Sequence, residues 1–301
     1  MKRERRRAEK LHLLGILAVC VGCGSSKPPP GNNPGPFEFD VNYAPLGSST
    51  STTLDIYHPS DSGPHLGLGV LAIHGGAWRS GYKALVAPVA QKLALHGFVV
   101  FAVNYNLAPG SPWPAALLDL QEAVRFIRAN ALRFGIDPVH LGAWGVSAGG
   151  HLSTMLALVD DPKAVGTARG GRLDAAVDAS GPADLTIVNG MEPDEDAILK
   201  DLLGAPRSGL SLEQLLIPST VTYARHDAAV LVLHGTADTF VSIEHSERLF
   251  AALTRAGATT QFYRVAGGGH DETTSQTPVT WPATLAFLEA QLGQVAPVGT
   301  R

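Results

Sequence analysis

Residues 139–158 constrain this chain more than any other stretch. They read Val139-His140-Leu141-Gly142-Ala143-Trp144-Gly145-Val146-Ser147-Ala148-Gly149-Gly150-His151, then Leu152-Ser153-Thr154-Met155-Leu156-Ala157-Leu158. A short apolar run leads into Gly-x-Ser-x-Gly, and an apolar pattern of helical spacing follows. A strand that becomes a helix within so few residues must bend sharply, and glycine beside the serine avoids a Cβ clash there. Such a bend holds the Ser147 hydroxyl at the top of a sheet. It also aims the first amides of the next helix, Ala148 foremost, at any negative charge formed beside it. Gly-x-Ser-x-Gly arises readily by chance in a chain with 33 glycines, so the flanking strand and helix carry the weight.

The rest of the chain alternates in the same way. Residues 37–43 and 52–57 are polar–apolar with a period of two, which predicts an antiparallel hairpin at a sheet edge. Strand candidates follow at 70–73, 98–103, 139–144, 175–179, 230–233 and 261–265, most of them continuous apolar runs, as expected of strands buried on both faces. Helical periodicity lies between them: 115–131 on Leu117, Leu120, Val124 and Ile127, 243–256 behind a capping Ser242 and before Gly257, and 281–292 before Gly293. Strand–helix alternation predicts a mostly parallel α/β sheet with helices on both faces. Residues 184–223 break the alternation and read as a small helical insertion over the carboxyl ends of the strands, where ligands enter open α/β sheets. Within it, Asp194-Glu195-Asp196 reads as a solvated face.

Three loops past predicted strands carry complementary chemistry. His234-Gly235-Thr236-Ala237-Asp238 follows the strand at 230–233, and Gly267-Gly268-Gly269-His270-Asp271 follows the strand at 261–265. A serine is a weak nucleophile until a base takes its proton. His270 would be that base, with Asp238 fixing its tautomer and supporting it once charged. Asp271 adjoins His270 in sequence, so it is expected to point elsewhere. His74-Gly75-Gly76-Ala77-Trp78, just past the strand at 70–73, is placed to complete an oxyanion hole from the amides of Gly76, Ala77 and Ala148. His74 and His234 end buried strands and read as loop-positioning residues. Trp78 and Tyr105 are candidates to line a substrate pocket, and His151 a candidate substrate contact. The eleven histidines show no H-x-x-x-H spacing, so neither metal nor cofactor is implied.

The N-terminus reads as a separate export segment. Met1-Lys2-Arg3-Glu4-Arg5-Arg6-Arg7 is basic, and residues 11–21 form an apolar run of signal-peptide length, too short to span a bilayer. Val21-Gly22-Cys23 resembles a bacterial lipobox, with Cys20 at the place usually held by leucine. Residues 1–22 are therefore expected to be a lipoprotein-type signal peptide, with Cys23 lipidated as a membrane anchor. Residues 23–36, rich in Pro and Gly, read as a tether. Both cysteines of the chain, Cys20 and Cys23, lie here, which leaves residues 37–295 without a disulfide or a thiol nucleophile. A formal net charge of −4 with no basic stripe argues against nucleic acid as a partner. The pattern leaves the oligomeric state open.

The combination of His-Gly-Gly-x-Trp at 74–78, Asn104-Tyr105-Asn106-Leu107-Ala108-Pro109, Gly-x-Ser-x-Gly-Gly at 145–150 and the late Asp238 and His270 resembles the α/β-hydrolase esterases of the acetyl-esterase and hormone-sensitive-lipase-like type. It is most similar to their bacterial feruloyl- and acetyl-xylan-esterase (BD-FAE-like) branch. The resemblance implies an α/β-hydrolase fold over residues 37–295 with a lid insertion at about 185–223. It also implies a serine carboxylesterase acting on small short-acyl or aromatic-acyl esters. Three departures stand out. Ala77 replaces a third glycine, Asn106 replaces an arginine, and the long N-terminal cap is absent. His-Gly-Gly-x-Trp also occurs in arylformamidases, so an amide hydrolase is an alternative reading, and a binding protein on the same fold is another.

Overall fold

The computed structural model describes residues 37–44, 52–60, 63–163, 171–188, 190–191, 194–270 and 274–293. The expected signal peptide, Cys20, Cys23, the tether and Asp271 lie outside the described residues.

Eight strands form one sheet: β1 (Phe37–Asn42), β2 (Thr53–Tyr57), β3 (Gly69–Ile73), β4 (Val99–Val103), β5 (Leu141–Val146), β6 (Ala175–Ala179), β7 (Ala229–Gly235) and β8 (Thr259–Val265). Their order is β1-β2-β4-β3-β5-β6-β7-β8. The β1–β2 hairpin is antiparallel and joins the sheet antiparallel to β4, whereas β4, β3, β5, β6, β7 and β8 run parallel. This is the fold class that the alternation predicts.

The apolar runs are continuous because β3 to β7 are covered on both faces. Alternate side chains feed two cores. Leu71, Ile73, Phe101, Val103 and Ala143 pack with Leu120, Val124 and Ile127 on one face. Val70, Ala72, Val100, Ala102 and Trp144 pack with Leu93, Phe287 and Leu288 on the other. Those covering helices are α1 (Ala87–Leu95), α2 (Ala115–Ala129), the short α3 (Ala131–Phe134), α4 (Ala148–Leu158) and, at the chain's end, α8 (Thr280–Leu292).

The insertion carries α5 (Glu195–Leu203) and α6 (Leu212–Leu216), and α7 (Ile243–Ala256) follows β7. Ser211 and Gln214 close a capping box on α6, Ser242 caps α7, and Gly257 ends α7 in the left-handed region at φ 77°.

Three expectations need correction. Strand β5 starts at Leu141 rather than Val139, because the Asp137 carboxylate accepts the Val139 amide at 2.7 Å and holds it in a turn. The helix expected over 115–131 ends at Ala129. The Asn130 side-chain amide donates to the Phe126 carbonyl at 2.8 Å, and a new short helix begins at Ala131. Glu195 does not belong to a solvated face: it is buried and ion-paired with Arg207.

Candidate functional site

Ser147 sits between β5 and α4 at φ 57°, ψ −124°, a conformation that costs a non-glycine residue about 1–3 kcal/mol. The bend survives because Gly145 and Gly149, two residues to either side, carry no Cβ. One on Gly145 would stand 2.1 Å from the Gly149 carbonyl, and one on Gly149 would stand 2.1 Å from the Ile73 carbonyl. The Ser147 amide donates to the Ala179 carbonyl at 2.7 Å, fastening the bend to β6.

Asp238 and His270 reach this serine from the loops after β7 and β8. The His270 Nδ1–H donates to Asp238 Oδ2 at 2.7 Å, and the Ser147 hydroxyl donates to His270 Nε2 at 3.0 Å. The carboxylate can only accept, so it fixes the imidazole with Nδ1 protonated and Nε2 free to take a proton. Asp238 Oδ1 accepts the amides of Phe240 and Val241, each at 2.9 Å. Burial opposes the Asp238 charge. Hydrogen bonds from His234 and His270, with the Val241 amide, outweigh it and hold the carboxyl well below the usual range. The side chain is fully buried, so that charge is always present at neutral pH and always aimed at His270.

Ser147 and His270 open onto a cavity of about 430 Å³ walled by the glycine loop at 75–77, Arg79, Ser80, Leu85 and Phe240. Gly76 has φ 112°, and Ala77 and Trp78 follow at 51° and 59°. Three successive residues in the left-handed region turn the loop back on itself, so that the Arg79 and Ser80 amides both donate to the Gly76 carbonyl at 3.0 Å. The amides of Gly76 and Ala77 make no hydrogen bond among the described residues. The φ of Ala77 supplies a physical reason for the glycine that the resembled pattern carries there.

The three expected substrate contacts are not on the cavity wall. Trp78, Tyr105 and His151 are only 1%, 2% and 0% exposed. The Trp78 indole N–H donates to His151 Nδ1 at 3.2 Å, and His151 Nε2–H donates to the Pro218 carbonyl of the insertion at 2.7 Å. The Tyr105 hydroxyl donates to the His74 carbonyl at 2.9 Å while its ring stacks on the His74 imidazole at 4.3 Å. These side chains hold the glycine loop, α4 and the insertion together from behind. Burial pushes the imidazoles of His74 and His151 down to about 4. At Asn106, where the resembled pattern has arginine, the backbone N–H donates to Asp119 Oδ2 at 2.8 Å.

Sequence reasoning passed over Arg79, Leu85 and Phe240. The guanidinium of Arg79 bonds to Asp201 of α5 at 3.1 Å, and the Trp113 amide donates to the Leu202 carbonyl at 2.9 Å. The insertion is therefore fastened to the carboxyl-end loops beside the cavity. Phe240 lies against the His270 ring, centroids 5.0 Å apart. Arg79 adjoins a motif and Phe240 stands two residues after Asp238, which is the signal that could have found them.

A family model described as BD-FAE matches residues 54–253, more than half of the chain. Esterase LipQ of Mycobacterium tuberculosis is 29% identical over 238 residues, covering 77% of this chain and 56% of that protein. Probable carboxylic ester hydrolase LipM of the same organism is 32% identical over 218 residues, covering 69% and 49%. The chain thus spans about half the length of these curated relatives. Among solved structures, a truncated form of a carbohydrate esterase from gut microbiota superposes with a TM-score of 0.78 at 27% identity, covering 89% of this chain and all of that one. A thermophilic esterase of Thermogutta terrifontis with propionate bound shares the fold at a TM-score of 0.63 and 22% identity, covering 88% of this chain and 96% of that one.

Proposed function

The chain belongs to the BD-FAE family, and from that premise we propose that it is a serine carboxylesterase working through an acyl-enzyme. The observation that carries this reading is the hydrogen-bonded series Ser147–His270–Asp238, with its serine facing a cavity beside two free loop amides. Ser147 Oγ attacks the ester carbonyl carbon while His270 Nε2 takes the hydroxyl proton. The carbonyl oxygen, now negative, accepts from the amides of Gly76, Ala77 and Ala148, each worth about 3–4 kcal/mol in comparable sites. Asp238 supports the imidazolium. That imidazolium gives its proton to the alkoxy oxygen as the C–O bond breaks, and the alcohol leaves. Water then attacks the acyl-serine with His270 again as base, releasing the acid and restoring Ser147. No cofactor enters any step.

A cavity lined by the apolar Leu85 and Phe240 together with the polar Arg79 and Ser80 suits a small acyl group joined to a more polar alcohol. The carbohydrate-esterase neighbour supports esters of saccharides as the natural substrates.

Hydrolysis of p-nitrophenyl acetate, butyrate and octanoate by the full chain, beside Ser147→Ala, tests the reading. Turnover should fall as the acyl chain lengthens and drop by at least ~10³-fold in the variant. Turnover that survives the loss of Ser147, or N-formyl aromatic amides cleaved faster than any ester, would overturn it.

The basic and apolar pattern of residues 1–22 supports export, with Cys23 as the lipidated residue. In cells fed labelled palmitate the full chain should take up label and Cys23→Ala should not. Label retained by that variant would move the anchor to Cys20.

A further inference from the structure

His234, at the end of β7, takes no part in the steps above, yet it touches the group that orients the base. Its Nε2 lies 3.2 Å from Asp238 Oδ2, the same oxygen that accepts His270 Nδ1–H at 2.7 Å. We propose that His234 is a positioning residue that lies against the Asp238 carboxylate shared with His270 and thereby keeps that carboxylate aligned on the base. The inference rests on the serine-esterase reading of the site.

The surroundings of His234 dictate its protonation. Nε2 faces two acceptors, Asp238 Oδ2 and the Val241 carbonyl at 3.0 Å, so Nε2 carries the hydrogen. Nδ1 lies 2.7 Å from the Ser246 hydroxyl, which donates to it from α7. The ring is fully buried, and the neutral Nε2–H form satisfies both nitrogens. Asp238 thus takes the Phe240 and Val241 amides on Oδ1 and the His270 Nδ1–H on Oδ2, while the His234 Nε2–H, bonded to the Val241 carbonyl, stands 3.2 Å from Oδ2. These contacts hold the carboxylate toward His270.

Three further ionisable groups surround His234. Asp178 on β6 is fully buried, and burial raises its carboxyl although Thr154 and the Gly181 amide bond to it. His245 on α7 is pushed down to about 4 by burial. Arg264, opposite on β8, spends its guanidinium on Glu247.

The experiment compares His234→Gln and His234→Leu with the unaltered chain, using p-nitrophenyl acetate from pH 5.5 to 9. The glutamine amide can place a donor where Nε2 stands, and leucine cannot. For His234→Leu kcat should fall ~10-fold across that range with KM little changed. For His234→Gln kcat should return to that of the unaltered chain. A leucine variant with unchanged kcat, or a glutamine variant impaired as far as leucine, would overturn the proposal. If the leucine variant does not fold, or if turnover proves independent of Ser147, nitrogen chemical shifts of histidine-labelled, unaltered chain decide. A neutral Nε2–H ring at His234 supports the proposal and an Nδ1–H ring refutes it. Serine-independent turnover would refute the esterase reading itself, so the two failures stay distinct.

Discussion

Gly76 shows how one residue can couple backbone conformation to rate. Its φ of 112° is open to glycine and strained for any residue with a Cβ, and that atom would stand 2.1 Å from the Ser80 carbonyl. Alanine at this position must unwind the turn that the Arg79 and Ser80 amides close on the Gly76 carbonyl. The Gly76 and Ala77 amides would then leave the line they hold toward the reacting carbonyl. Gly76→Ala should therefore lower kcat by ~10²–10³-fold, as the loss of an oxyanion donor does elsewhere, with a small change in KM. Gly110→Ala is the matched control. The nearest atom to its new Cβ is the Leu107 carbonyl oxygen at 3.6 Å, an ordinary contact, and its kcat should be unchanged. Equal losses in both variants would detach the loop from catalysis.

At the scale of elements, the parts of the site carried by local sequence were legible and the parts made by distant contacts were not. Ser147, Asp238 and His270 each stand on a loop just past an apolar run, and parallel strands bring such loops to one edge whatever lies between them. The two misplaced boundaries, at Val139 and Asn130, turn on a single side chain that competes with the backbone for a hydrogen bond. Trp78 and His151 fail differently. Their burial depends on each other and on Pro218, partners 73 and 67 residues away in the chain. An aromatic residue beside a catalytic motif reads the same whether it faces ligand or lid. Arg79 went unseen because the left-handed backbone at Ala77 and Trp78 redirects the side chains that follow, and side-chain periodicity carries no record of such a turn.

For the whole molecule, the price of this packing is paid in acid. His74, His151 and His245 are held near 4 by burial, against 6.5 for an exposed imidazole. Below about pH 6.5 the unfolded chain takes up three protons that the folded chain refuses until about pH 4. The unfolded state thus binds more protons across that window, and stability falls as pH falls. Three groups together give a slope of up to about 4 kcal/mol per pH unit near pH 5. Asp238 acts with the same sign but in a lower window. Its depressed carboxyl adds stability that is complete above the unfolded carboxylate value of about 3.9 and is lost only below it, so it does not contribute to the loss at pH 5. Urea midpoints measured from pH 8 to 4.5 should hold nearly constant above pH 7 and drop steeply from pH 6.5 downward. In His245→Gln, which removes one of the three protons, that slope should lessen by about a third. A midpoint that stays level to pH 4.5 would mean that the imidazoles meet water or a counter-charge in the folded state.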